Sequence, residues 1–261
     1  MVIVGYIFSV FIGGTLGLLG SGGSILAVPL LMYCFGQTPT EATGNSLLIV
    51  GICASIGSFF KAQQKEIVYK ELIWVGIPAM LGAFVVRKWA IPSIPTEIVI
   101  GNLGSITKDL LILTVFCLVM LLAAYNMIAV KSAPNATAAA SHWKASLAGL
   151  GIGLLAGFVG AGGGFLMVPG LVFWVRLNMK QAIGTSLALV ALQSLTGFLA
   201  NASTPQHLHW TMLAGIIACA LVGMFVGLKV SRRIKAQPLQ KGFGWFMLVV
   251  ASFIFIKSWL G

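Results

Sequence analysis

What most constrains this chain is a series of apolar runs with no charge in the middle of any of them. Runs at 42–60, 72–90, 109–130, 182–200, 209–228 and 242–260 reach the length at which a helix crosses a bilayer, about 20 residues. Four others, at 2–19, 24–36, 145–159 and 164–177, are shorter or rich in glycine. Only 8% of the 261 residues are charged, against about 25% in a soluble domain. Mean hydropathy is +1.02. With 16 Lys+Arg and 5 Asp+Glu, a soluble protein of this length could not cover its surface. The expected fold class is an all-α polytopic membrane protein with no room for a soluble domain. Hydrophobicity excludes disorder, the lack of a G-X-Y period excludes collagen, and 4 Cys are too few for a disulfide scaffold.

The net charge of +11 sits in short hydrophilic gaps between the runs, as the positive-inside rule requires. No nucleic-acid motif accompanies it. Cys34, Cys53, Cys117 and Cys219 lie inside apolar runs without a C-x-x-C pair, so they read as small buried hydrophobes and not as metal ligands. The first run lacks the basic start of a signal peptide and passes into a patterned glycine segment, so it is expected to belong to the mature fold.

A linker at 131–144 stands near the middle and prompts a search for a repeat. Sliding the second half back until Gly153 falls on Gly13 matches Gly13, Gly17, Gly20, Gly22, Gly23, Leu26, Val28, Pro29 and Leu31 with identical residues from Gly153 to Leu171. The same shift places Ala42, Gly44, Ser46, Leu47 and Val50 on Ala182, Gly184, Ser186, Leu187 and Val190, for 14 identities over positions 13–50. The expected organisation is a first repeat at 1–130, the linker, and a second repeat at 145–261. Duplicated membrane halves are the usual build of secondary transporters.

The glycine clusters Gly20-Ser21-Gly22-Gly23-Ser24 and Gly160-Ala161-Gly162-Gly163-Gly164 each precede a short apolar run with an early proline. Single small residues such as Gly13, Gly17, Gly153 and Gly157 let helices pack closely. Four or five in succession break a helix, and Pro29 and Pro169 weaken it again. Broken backbone at membrane depth lies inside protein or lines a cavity, so each cluster predicts a broken helix or a re-entrant hairpin. A helix starting at Ser24 or Gly164 would aim N–H groups and its positive dipole end inward, which suits an anion. The second shared motif, Gly44-Asn45-Ser46-Leu47 and Gly184-Thr185-Ser186-Leu187, adds hydroxyl and amide donors or serves as a helix cap. Gln193 either reads substrate oxygens or ties helices together. The candidate substrate-binding set is both glycine clusters with Asn45, Ser46, Thr185, Ser186 and Gln193.

These residues resemble the sulfite exporter TauE/SafE family, also called the toluene sulfonate uptake permeases. The resemblance rests on Gly-x-Gly-Gly-x-x-x-x-Val-Pro in both halves, each followed by Ala-x-Gly-x-Ser-Leu. It implies passage of sulfur-containing anions such as sulfite, sulfonates and sulfoacetate-like compounds. It leaves the particular anion, its direction and its coupling open. Ser21 and Ser24 stand where the second copy has Ala161 and Gly164, so the two halves need not touch a substrate alike.

Enzyme chemistry is not expected. The sequence has no His/Asp/Glu metal spacing, no Ser–His pair at membrane depth and no motif for a cofactor. Glu41 and Asp109 stand at helix starts, where the dipole is reason enough for them. An anion channel and a non-transport membrane scaffold remain the alternatives to a carrier. The expected partners are a small anion and the lipid bilayer. A homo-oligomer stays open.

The basic residues also bear on topology. If each glycine-broken pair crosses once, the halves run parallel and 10 Lys and Arg fall inside. If each pair is a hairpin, the halves are inverted and 12 fall inside, leaving Arg87, Lys88, Lys108 and Lys257 outside. The rule favours inversion. Both arrangements put the termini outside the cytoplasm of what is expected to be a bacterial inner membrane.

Overall fold

The computed structural model describes residues 2–90, 97–99, 105–129, 142–159, 164–201 and 210–260. In chain order, α1 (Val2–Leu19) passes through a 3-10 segment (Gly20–Leu26) into α2 (Ala27–Phe35). Then come α3 (Pro39–Gln63) and α4 (Tyr69–Val85), the latter ending in a π turn at Val86–Ala90. β1 (Glu97–Val99) and β2 (Ser105–Thr107) form a small antiparallel ladder in the gap before α5 (Lys108–Ala129). The second part holds α6 (His142–Val159), α7 (Met167–Phe173), α8 (Met179–Asn201), α9 (Trp210–Arg233) and α10 (Ala236–Leu260). The linker positions 131–141 and the segment 202–209 lie outside the described residues.

Residues 3–35 are helical almost throughout, yet the two ends of this stretch meet. The rings of Tyr6 and Phe35 pack edge to face with centroids 5.5 Å apart. A continuous helix would hold these positions roughly 40 Å apart at 1.5 Å per residue, so the chain folds back on itself. The turning point is Gly20, with a left-handed φ of +75°. The α6–α7 pair folds back in the same way: a Cβ on Gly170 would strike Ile152, and one on Gly151 would meet the Trp174 ring.

Local chemistry sets the next boundaries. Gly36 ends α2 with φ +65°, and the Gln37 N–H donates to Leu31 O at 3.2 Å. Thr38 then caps α3. The Glu41 N–H donates to Thr38 Oγ1, and the Thr38 N–H donates to Glu41 Oε2 at 3.1 Å, a capping box followed by Pro39. At the start of α8, Arg176 has φ +62°, Leu177 N–H donates to Leu171 O at 3.0 Å, and the Gln181 N–H donates to the Asn178 carboxamide oxygen at 2.9 Å. Under the shift that lays Gly153 on Gly13, Arg176, Leu177, Asn178 and Gln181 fall on Gly36, Gln37, Thr38 and Glu41.

Among the described residues, four helix pairs build the bundle. Gly13 and Gly17 of α1 press on the backbone of Ala220 and Met224 of α9, and the two helices run parallel. Gly149, Gly153 and Gly157 of α6 press on Val75, Ala79 and Ala83 of α4, again in parallel. Absent side chains let these backbones touch. α3 and α8 are antiparallel, with Leu47 at Gly197 and Gly57 at Leu187. α5 and α10 are antiparallel as well: Gln240 Nε2 donates to Met127 O at 3.1 Å, and Cys117 Sγ reaches Ala251 O at 3.7 Å.

These directions group the helix ends on two faces. Lys61, Glu66, Lys180, Ser231 and Arg232 come together on one of them: Lys61 Nζ donates to Ser231 Oγ at 3.5 Å and Lys180 Nζ to Arg232 O at 3.3 Å. The sides of the bundle are apolar. Ile73, Ile77, Leu81 and Phe84 stand exposed on α4, and Val222, Phe225 and Val226 on α9. Helical stripes of this extent belong in lipid, where every backbone group must be paired internally. Glu41–Gln63, Met179–Leu199 and Trp210–Arg233 are long and apolar enough to cross a bilayer. The chain is an integral membrane protein.

Candidate functional site

The first glycine cluster lies at the turn of the α1–α2 hairpin, and Gly20 through Ile25 are all buried. A Cβ on Gly20 would fall 2.7 Å from Ser186 Oγ and 3.2 Å from Ile183 Cα, so the left-handed φ and the close approach to α8 both call for glycine. Ser21 N–H donates to Ser186 Oγ at 3.4 Å, a long bond, and Ser186 in turn donates to Ile183 O at 2.9 Å. Ser24 Oγ donates to Ser21 O at 2.7 Å. The first glycine cluster is thereby joined to the Gly184-Thr185-Ser186-Leu187 motif.

Ser21 Oγ itself is wholly buried and has no hydrogen-bond partner among the described residues. Such a hydroxyl carries a desolvation cost of about 1–3 kcal/mol unless something fills its valence. Asn45 is nearly as buried. Its Nδ2 donates to Gln37 Oε1 at 3.1 Å while its Oδ1 has no partner among the described residues. Ser46 Oγ is used locally, donating to Thr43 O at 2.8 Å.

The second cluster is reached only at its end, since Gly160, Ala161, Gly162 and Gly163 lie outside the described residues. Gly164 is described. A Cβ there would lie 3.3 Å from Ser24 Oγ, so the two glycine segments meet at equivalent positions. Two other glycines of the first cluster face protein. Gly22 is pressed by the Phe243 ring of α10, and Gly23 by Leu16 N and Thr15 Oγ1 of α1. Regular α-helix begins at Ala27 and Met167, later than the expected starts at Ser24 and Gly164. The intervening residues form 3-10 turns, and Ala27 N–H is already bonded to Ser24 O.

Thr185 Oγ1 accepts the Val68 N–H at 3.1 Å and so binds the α3–α4 turn. Gln193 is half-buried on the same face of α8 as Ser186, roughly 10 Å further along at 1.5 Å per residue. The site therefore offers hydroxyls, an amide and backbone N–H groups, and among the described residues no charged side chain. Among the described residues no group of three His, Cys, Asp or Glu could hold a metal.

Sequence reasoning missed the buried ion pair of Lys61 with Glu66, Nζ to Oε2 2.6 Å, and the burial of Glu71. Both Lys61 and Glu71 sit at the ends of apolar runs, where a charge ordinarily reaches water. The one available signal was Glu66 closely following Lys61 across a turn.

A comparison with protein families matches the one described as sulfite exporter TauE/SafE over residues 6–254. A "Probable membrane transporter protein" of Xylella fastidiosa (strain Temecula1) is 30% identical over 95% of this chain and 92% of its own length. A protein of the same description from Haemophilus influenzae is 23% identical, over 92% of this chain and 93% of its own. The "Probable membrane transporter protein YunE" of Bacillus subtilis is 25% identical over 87% and 88%. No solved structure gives a significant match.

Proposed function

This chain is a membrane transporter of the sulfite exporter TauE/SafE family, and we propose that it carries a small sulfur-containing oxyanion, such as sulfite or a sulfonate, by alternating access. The observation that carries this reading is the unpartnered, wholly buried Ser21 hydroxyl at the turn of a broken helix, beside Ser186 of the other half. A sulfite or sulfonate group presents several acceptor oxygens. Neutral donors held in a dry site stabilise it without binding it too tightly for release.

Two inverted halves supply the alternation. α1 packs on α9 as α6 packs on α4, and Leu47 meets Gly197 as Leu187 meets Gly57. Exchanges of this kind are what a two-fold axis in the membrane plane generates, and Ser24 beside Gly164 lies on it. The grouping of Lys61, Lys180 and Arg232 on one face supports the inverted arrangement, since the parallel one would separate Lys61 from the other two. That basic face then lies in the cytoplasm of a bacterial inner membrane, with both termini outside. A buried site favours a carrier over an open anion channel.

The test is uptake of radiolabelled sulfite by proteoliposomes holding the purified protein. Uptake accelerated by sulfite on the opposite side supports a carrier, and unitary currents a channel. Absence of uptake, with no thermal stabilisation by sulfite, thiosulfate or sulfonates, would overturn the assignment of substrate.

A further inference from the structure

The turn between α3 and α4 is built as a strap. α3 ends in a Schellman closure, with Lys65 N–H donating to Ala62 O at 2.9 Å and Glu66 N–H to Lys61 O at 3.0 Å. Lys65 takes the left-handed position at φ +57°, where glycine is usual. This closure brings Glu66 back over Lys61, whose side chain is 0% exposed and also reaches Ser231 Oγ on α9.

Beyond Glu66 the strap lies on α8. A Cβ on Gly184 would fall 2.5 Å from Glu66 O, and Val68 N–H donates to Thr185 Oγ1. The strap thus lies on Gly184 and Thr185, next in the chain to Ser186, which touches Gly20 and Ser21. The second half has no such pair in sequence, since Asn201 and Gln206 stand at the positions equivalent to Lys61 and Glu66.

The charges around Lys61 are unbalanced. Lys180 and Arg232 act on it with the same sign, against the single Glu66 carboxylate. A buried ammonium requires an anionic partner, and Glu66 provides one from a turn where its own side chain is 16% exposed. A small oxyanion arriving from the basic face satisfies the same ammonium and finds a hydroxyl beside it.

We propose that Lys61 and Ser231 form an anion site at the basic end of the protein, occupied by the Glu66 carboxylate in this closed form, and that an incoming oxyanion displaces Glu66 and lifts the strap from α8. The identity of that oxyanion as the cargo rests on the transport reading above; the site and the strap do not.

Accessibility tests it without reference to transport. In the full chain freed of its four cysteines, Ile183→Cys places a thiol at a position that is 0% exposed beside Gly20. An impermeant maleimide is added from the basic face. Glu66→Gln is expected to raise the labelling rate about tenfold, a shift of ~1.4 kcal/mol in the open population. Methanesulfonate, which does not consume the reagent, should raise the rate with Glu66 present and add nothing in Glu66→Gln. Lys61→Met should release the strap and abolish the methanesulfonate effect. Val68→Pro removes the strap's N–H donor to Thr185 while leaving both charges in place, and serves if the charge variants fold poorly. Unchanged labelling in Glu66→Gln and Val68→Pro would overturn the strap. Labelling indifferent to methanesulfonate would overturn the anion site. Loss of sulfite uptake alone, with these effects intact, would count against the choice of substrate only.

Discussion

Arg176 adopts a left-handed backbone, φ +62°, at the position that the shift laying Gly153 on Gly13 places on Gly36, whose φ is +65°. The same backbone closure follows each: Gln37 N–H to Leu31 O in one half, Leu177 N–H to Leu171 O in the other. A left-handed conformation costs a residue with a Cβ about 1–2 kcal/mol, so Arg176 keeps a shape that glycine takes freely. Arg176→Gly is expected to raise stability by about 0.5–1 kcal/mol, the relief of strain less the added entropy of an unfolded glycine. Gly36→Arg should lower it by a similar amount. Thermal unfolding in detergent reads both, and a fall in stability for Arg176→Gly would contradict the argument.

Ser21→Ala separates function from folding. Its hydroxyl is buried and bonded to nothing among the described residues, so removing it should leave stability unchanged or raise it by up to about 1 kcal/mol. If that hydroxyl serves a substrate oxygen, the KM for sulfite should rise about tenfold, as for the loss of one ~1.4 kcal/mol interaction. Ser46→Ala is the control, because the Ser46 hydroxyl is satisfied by Thr43 O. Lower stability in Ser21→Ala together with an unaltered KM would reject the hydroxyl as a ligand.

Gly22 lends itself less to a test of substrate approach than its place in the motif suggests. A Cβ there would fall 2.5 Å from the ring of Phe243, a fully buried side chain. Gly22→Val should destabilise by about 1–3 kcal/mol through overpacking. Phe243→Ala opens a cavity and should cost about 3–5 kcal/mol alone. Together the two should cost less than their sum by at least ~1 kcal/mol, because each fills or relieves what the other disturbs. Strict additivity in thermal unfolding would mean that Gly22 does not meet Phe243.

Much of this architecture was legible in the sequence for a plain reason. A helix in lipid must be apolar along its length, and a helix broken there must carry residues that allow the break. Runs 42–60, 182–200 and 209–228 therefore marked helices long and apolar enough to span, and the first glycine cluster marked a turning point at Gly20. The partnership of α1 with α9 and of α4 with α6 was not legible. Gly13 and Gly153 announce a close neighbour without naming it, because the backbone of Ala220 or Ala79 has no signature in sequence. The strap was hidden for another reason. Lys61 ends an apolar run, where a lysine normally extends to water, and only the Schellman turn through Lys65 returns Glu66 to it.

The topology follows from the same turn. Lys61 and Glu66 lie beside Ser231, and Lys180 beside Arg232, so the α3–α4 turn shares a face with the segments 176–180 and 229–235. The last of these carries Lys229, Arg232, Arg233 and Lys235, which the positive-inside rule assigns to the cytoplasm. In the proposed orientation the turn is cytoplasmic too, and Gly36 on the opposite face is external. Single cysteines at Gln63, where the side chain is exposed, and at Gly36 make the pair of reporters. In intact cells, with the native cysteines replaced, an impermeant maleimide should label Gly36→Cys and spare Gln63→Cys. After the membrane is permeabilised both should react. Labelling of Gln63→Cys alone in intact cells would place the basic face outside. Labelling of both positions, or of neither, would separate two ends of one helix less than a bilayer apart and reject α3 as a span.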